Sequence, residues 1–344
     1  MTAKPTILFT FDYEMFSHRP GTVENNMIIP AEQILQTCES RNIKVTFFVE
    51  AVFILKLKEQ SLKHAPLAHD YALLVRQLRK MVRLGHRIEL HLHPYWLDAM
   101  TNGISWTIPS YRYNRLQSMP SEKAGNLFTA GIELLEKIAR KENSTYKIKA
   151  FRAGGWCLQP FDVLKKCFEQ HGISIDSSVA PGIKMETPLY IADFSTISPS
   201  TNSYFFDGNP VEPTKNGFLE ISITTFKRSF FNKILNKIKT RSDEKLFYRF
   251  GDGQEVPMYQ QHMFHKIKAI LSPSISMLTL EGQIDKDILL NKIIALSKTK
   301  NILTFISHPK NMSPNSIEIM KYLSDKNLFQ FQTLTDLAER DNYA

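Results

Sequence analysis

The stretch AHDYALLVRQLRKMVRLGHRIELHLHP, Ala68–Pro94, decides the fold class. Its first part reads as a helix over about 68–85. Gly85 falls just past the helix end, where a left-handed cap is cheapest for glycine. Arg87–His93 then reads as a strand. Two imidazoles, His91 and His93, close that strand, and residues two apart on a strand share a face. The same rhythm runs outward in both directions. Further strand candidates are Thr6–Asp12, Ile43–Glu50, Lys147–Arg152, Ile173–Asp176, Leu219–Thr225, Ile302–His308 and Phe329–Leu334. Helix-like segments fall at about 30–41, 121–142, 159–171, 260–271, 285–299 and 315–325. Strands alternating with helices predict an α/β fold on a mostly parallel sheet, open or closed into a barrel.

The 344 residues are 43% apolar and 22% charged, the balance of a globular chain with a full core. The chain is read as a single catalytic domain, 1–344. No stretch approaches the ~20 apolar residues of a membrane helix. The N-terminus has no signal-peptide pattern, so the expected compartment is the cytoplasm. Cys38, Cys157 and Cys167 are odd in number and lack CxxC spacing, so no disulfide framework is implied.

The net charge of +9 favours polyanionic partners. Lys227–Arg249 concentrates it, with eight basic and two acidic residues. Phe230, Phe231, Ile234, Leu235 and Ile238 recur there at helical spacing. That pattern predicts a basic amphipathic helix inside an insertion at about 226–284. It serves either as scaffold or as a contact with anionic membrane or a lipid-linked substrate. No zinc finger or other reader motif accompanies it, so no nucleic-acid partner is expected. Two segments, about 95–120 and 182–215, read as long loops.

The residues with chemical potential cluster at strand ends: Asp12 and Glu14, His91 and His93, Arg152, Asp176, and His308. In an α/β barrel these ends converge on one rim. His91 and His93 with the acids after the first strand form an N,N,O donor set suited to Zn²⁺ or a similar cation. The alternative is a packed imidazole pair. Of Asp12 and Glu14, one can ligate while the other takes a proton from water, or one can cap a turn. Arg152 can hold a carboxylate through a bidentate contact, and Asp176 can orient His308. Cys157 carries no sign of activation. No G-x-S-x-G, G-x-G-x-x-G or Walker A pattern occurs, which argues against serine hydrolases and nucleotide cofactors.

The order of motifs resembles the polysaccharide deacetylase family, the NodB-homology or carbohydrate esterase family 4 enzymes. Phe9-Thr10-Phe11-Asp12-Tyr13-Glu14 resembles its first block, and Lys44-Val45-Thr46-Phe47-Phe48-Val49 the following strand. Gly85 to Pro94 resembles the histidine block, and Phe151-Arg152-Ala153-Gly154-Gly155-Trp156 the arginine block. Ile175-Asp176-Ser177-Ser178 and Phe305-Ile306-Ser307-His308-Pro309 resemble the last two. The resemblance implies a distorted (β/α)7-type barrel. It also implies a metal-dependent hydrolase that removes an N-acetyl or O-acetyl group from a sugar or glycan precursor.

In that reading Asp12 is the base, oriented by Arg152, and His308 with Asp176 is the acid. Glu14, His91 and His93 bind a divalent metal, Zn²⁺ foremost, with Co²⁺ or Mn²⁺ as alternatives. Tyr95, Trp96 and Trp156 contact substrate, and a backbone N–H near Trp156 faces the oxyanion. Two departures stand out. Tyr13 separates acids that are adjacent in the family, and Tyr95 occupies the place of the second histidine. The alternatives are a metal-independent amidase on a non-sugar C–N bond and a non-catalytic carbohydrate-binding barrel.

Overall fold

Strand β1, Thr6–Tyr13, is buried along its whole length and forms the spine of the molecule. The structure, a computed structural model, describes residues 4–186, 191–228, 244–255 and 274–341. Alternation along β1 sorts its side chains. Ile7, Phe9, Phe11 and Tyr13 join the large core under the helices. Leu8 joins Phe48, Ala150, Ile175, Leu219, Ile221 and Ile302 in a separate inner cluster. The two clusters are the two faces of one curled sheet, since successive strand residues point opposite ways.

The strands follow in chain order as β2 (Thr46–Glu50), β3 (Arg87–Leu92), β4 (Met100–Thr101), β5 (Trp106–Thr107), β6 (Ala150–Ala153) and β7 (Ile175–Asp176). Then come β8 (Lys184–Glu186), β9 (Ile191–Asp193), β10 (Ser203–Phe206), β11 (Phe218–Ile221), β12 (Thr225–Arg228) and β13 (Ser274–Met277). The last two are β14 (Ile302–Ser307) and β15 (Gln330–Phe331). The main sheet runs β10-β11-β7-β6-β3-β2-β1-β14. It is parallel except at the β10–β11 edge. Strand β2 pairs β1 only from Thr10 onward, and β15 takes the stretch at Thr6–Ile7 that β2 leaves. Between the outer edges, Thr224 N donates to the Thr304 carbonyl at 3.0 Å and Leu278 N to the Thr224 carbonyl at 2.7 Å. Those bonds close the curl into a distorted barrel.

The α-helices among the described residues are α1 (Ile29–Arg41), α2 (Ala51–Ser61), α3 (Ala65–Arg83), α4 (Ser121–Ala139) and α5 (Asp162–His171), then α6 (Lys286–Ser297), α7 (Pro314–Asp325) and α8 (Leu334–Arg340). Helix α2 starts with no loop because Glu50 caps it, accepting from Val52 N at 3.1 Å and Phe53 N at 2.5 Å. Helix α8 plugs the barrel floor: Leu334, Leu337 and Ala338 pack into the inner cluster. The mouth is therefore the opposite end, where the strands finish.

Within the expected insertion, Lys227 and Arg228 lie on β12, which pairs with β13 as a two-stranded ribbon. Most of the expected basic helix, and the helix-like segment at about 260–271, lie outside the described residues. No described helix is long and apolar enough to cross a membrane. The three cysteines are free and buried.

Candidate active site

Strand register assembles the mouth before any side chain is considered. Asp12 lies opposite Phe48, Glu50 opposite His91, and His91 opposite Arg152. His91 and Arg152 thus occupy neighbouring strands, Asp12 lies one strand beyond β2, and His308 follows β14 directly on the other side of β1. Tyr13 turns to the helix side, where its hydroxyl donates to Gln77 Oε1 at 2.7 Å. The acids on either side of it share the inner face.

Arg152 is fully buried and spends its donors inside the barrel. It donates from Nη1 to Asp12 Oδ1 at 2.6 Å, from Nη2 to Thr10 Oγ1 at 2.8 Å and from Nε to the Ser177 carbonyl at 2.7 Å. Its guanidinium lies over the Phe48 ring at 4.1 Å. The contact with Asp12 is single-ended, not the bidentate fork expected, because Nη2 is turned to Thr10 and Ser177. Burial would lift the Asp12 carboxyl, but Arg152, His91 and His308 outweigh burial and hold it below the ordinary value.

Glu14, His91 and His93 turn one donor atom each toward a common point. Glu14 Oε2 lies 3.2 Å from His91 Nε2 and 2.7 Å from His93 Nε2, and the two Nε2 atoms are 3.2 Å apart. His91 donates from Nδ1 to the Arg152 carbonyl at 2.8 Å, so in the neutral imidazole Nε2 carries the lone pair. A tetrahedron on metal–donor bonds of about 2.0–2.2 Å has edges near 3.4 Å. Two of the three edges come within a few tenths of that, and the third opens if Glu14 releases its bond to His93. The donor set and its spacing could hold a metal ion.

His93 is held from two sides. Its backbone N–H donates to Glu50 Oε1 at 2.9 Å, and its ring meets Tyr95 at 5.0 Å between centroids. Burial raises the Glu50 carboxyl to about 8 despite those bonds. Burial also lowers the His93 imidazole, outweighing Glu14.

His308 points its Nε2 at the acids, 3.6 Å from both Asp12 Oδ2 and Glu14 Oε1. The carboxylate on its other side is Glu281, which accepts from Nδ1 at 2.7 Å and from the His308 backbone N–H at 2.6 Å. Burial opposes protonation, but Glu281, Asp12 and Glu14 raise the imidazole to about 9. The expected partner, Asp176, is not there. Ile175 faces the inner cluster, so Asp176, one residue on, turns to the outer face. It accepts from Ser178 N at 2.8 Å and lies in register with buried Glu220.

The aromatic substrate contacts need a similar correction. Trp96 is fully buried against Phe53 and Trp106, with no face left for a sugar. Tyr95 is 6% exposed and packs behind His93. Trp156, with φ +57°, is half-buried and keeps part of its surface at the rim. Burial pushes the Cys157 thiol up to about 12, away from the thiolate form.

Four residues at the mouth had no signal in the motifs: Glu50, Glu255, Glu281 and Lys310. Only Lys310 could have been suspected, lying two residues after His308. It is buried and donates to Glu14 Oε1 at 3.0 Å. Burial and the charge of Lys310 pull Glu14 in opposite directions, and Lys310, with His93, prevails, holding its carboxyl well below the ordinary value.

No protein-family model and no curated protein sequence matches the chain. Among solved structures, a chain described as a polysaccharide deacetylase from Mycobacterium smegmatis superposes with a TM-score of 0.51 at 14% identity, covering 100% of this chain and 92% of that one. PuuE allantoinase gives 0.49 at 11% identity, covering 100% and 93%. The peptidoglycan deacetylase PdaC from Bacillus subtilis gives 0.38 at 12% identity, covering 99% and 93%. By the first of these likenesses, the chain has the fold of the NodB-like polysaccharide deacetylases.

Proposed function

We propose that this chain, on its deacetylase fold, is a metal-dependent hydrolase that removes an N-acetyl or O-acetyl group from a sugar or glycan precursor. The observation that carries the reading is the meeting of three charge-matched groups at one mouth. These are Asp12 with Arg152, the Glu14, His91 and His93 donor set, and His308 with Glu281. His308 Nε2 stands 3.6 Å from an oxygen of each of the two acids, so the groups can act on one bond.

When bound, a divalent cation of the Zn²⁺, Co²⁺ or Mn²⁺ type supplies Lewis-acid polarisation of the acetyl carbonyl and acidifies water. The chain supplies the proton transfers. Asp12, kept ionised by Arg152, accepts a proton as water oxygen adds to the acetyl carbon. His308, kept protonated by Glu281, gives its Nε2 proton to the departing amine nitrogen as the C–N bond breaks. Acetate and a free amine leave, and transfer of the proton from Asp12 to His308 restores both groups. Trp156 is the aromatic surface at the rim that sugar can meet. The proposal takes the substrate as a cytoplasmic precursor, possible lipid linkage included, with Lys227–Arg249 as its contact with anionic membrane; the sequence pattern alone supports that part.

The test is acetate release from a panel of N- and O-acetylated sugars with Zn²⁺, Co²⁺, Mn²⁺ or no metal. Release that needs metal supports the reading. Amine release from small amides without acetate points instead to an amidase, and binding with no release to a carbohydrate-binding barrel.

A further inference from the structure

Lys310 is 1% exposed, yet it carries an ammonium that needs three acceptors. It has them: Glu14 Oε1 at 3.0 Å, the Met15 carbonyl at 2.8 Å and Glu255 Oε1 at 2.5 Å. Its three N–H bonds are spent, so no donor is left for substrate. The ammonium also lies 4.6 Å from the centre of the Phe16 ring. The acceptors come from two segments, the loop after β1 and the loop at 249–255.

That second loop is itself pinned. Glu255 Oε2 accepts from Ser17 Oγ at 2.5 Å, Gly251 N donates to the Lys310 carbonyl at 2.9 Å, and Gln254 N to the Arg19 carbonyl at 2.7 Å. Asp252 accepts from Thr22 N and Asn25 Nδ2, both at 2.9 Å. Lys310 therefore sits where the β1 loop, the 249–255 loop and its own segment after β14 join.

The division of Glu14 matters most. Its Oε1 is engaged by Lys310, while Oε2 faces His91 and His93. With Oε1 drawn toward the fixed ammonium, Oε2 is the oxygen turned to the point where His91 and His93 converge. We propose that Lys310 is a positioning residue that holds Glu14 as a one-oxygen ligand, leaving the remaining coordination positions for water and substrate. The inference rests on the metal-dependent reading above. Outer groups that orient metal ligands typically change metal affinity by 10–100-fold when removed. The opposite expectation is also physical: a cation beside the site repels the metal, so its removal could tighten binding.

The experiment is a Co²⁺ titration of the chelated, full-length protein, read from the visible absorption bands. The wild type should take up one Co²⁺. Lys310→Met should bind it 10–100-fold more weakly, with weaker bands as Glu14 closes onto the metal with both oxygens. Lys310→Arg, which keeps the charge but not the single-point geometry, should fall between them. Should Lys310→Met fail to fold, Lys310→Arg and Glu255→Gln decide, each expected to weaken binding. No Co²⁺ uptake by the wild type overturns the metal reading itself. Uptake by the wild type with unchanged or tighter binding in the folded variants overturns the role of Lys310 alone.

Discussion

Gly154 stands where the chain leaves β6, hard against His93, and has no room for a methyl group. A Cβ there would meet the Leu92 carbonyl oxygen and lie 2.7 Å from His93 Nδ1 and 2.9 Å from its Cε1. Ordinary contact begins at 3.4 Å, so Gly154→Ala must move the imidazole by ~0.7 Å and spread β3 from β6. The clash with the Leu92 carbonyl is relieved only if β6 moves away from β3 where Ala153 pairs with Leu92, and the His93 imidazole must shift as well. Overpacking of this kind costs about 1–3 kcal/mol. At about 2.1 cal/mol/K per residue of unfolding entropy, that lowers Tm by about 1.5–4 °C in a chain of this length. The functional loss should be larger in proportion, because misplacing a reacting group by about 1 Å can cost on the order of 10²-fold. Thermal unfolding of the metal-free protein and Co²⁺ affinity should be measured together. A small fall in Tm with markedly weakened Co²⁺ binding is expected. Unchanged Co²⁺ affinity would refute the argument that Gly154 sets the His93 ring.

Asp12→Asn and His308→Ala should each lower acetate release by roughly 10²–10⁴-fold, and Asp12→Asn should also lower the unfolding midpoint because it leaves the buried Arg152 charge without its partner; full turnover in either removes that residue from the mechanism. Glu281→Ala should lose activity far more than Asp176→Asn does in its folded fraction, and the reverse order would restore Asp176 as the partner of His308. His86 gives a pH signature remote from the chemistry: burial lowers its imidazole to about 4, and its Nε2 has no hydrogen-bond partner. The folded state then binds fewer protons than the unfolded chain between about pH 4 and 6.5. Stability should fall by up to ~3 kcal/mol as pH drops through that window. His86→Leu should lose that part of the slope in urea unfolding at pH 5 against pH 7, and an unchanged slope would contradict the assignment.

Period-two alternation made much of the site readable from sequence. It places Asp12 and Glu14 on one face with Tyr13 on the other, and it puts His91 at a strand end beside Arg152. The same rule, applied without knowing which residue of a two-residue strand faces inward, misled at Asp176. Ile175 takes the inner face, and only the assembled sheet reveals it. Helix α2 escaped notice because Glu50 serves as strand end and helix cap at once, leaving no loop to mark the boundary. Strand β10 lies inside a segment rich in Ser, Thr and Asn that reads as loop, and antiparallel pairing with β11 supplies what its composition does not. Trp96 looked like a sugar platform because aromatic residues on loops often are, yet it fills the core beside Phe53. Glu281 and Glu255 reach the mouth from a segment with no motif of its own, so no local pattern could place them.

The most direct measurement is acetate release from N-acetylated sugars by the purified protein, before chelation, after chelation and after Zn²⁺ or Co²⁺ is returned. The account predicts turnover that disappears with the metal and comes back with it. Undiminished turnover in a sample shown to be metal-free would contradict it.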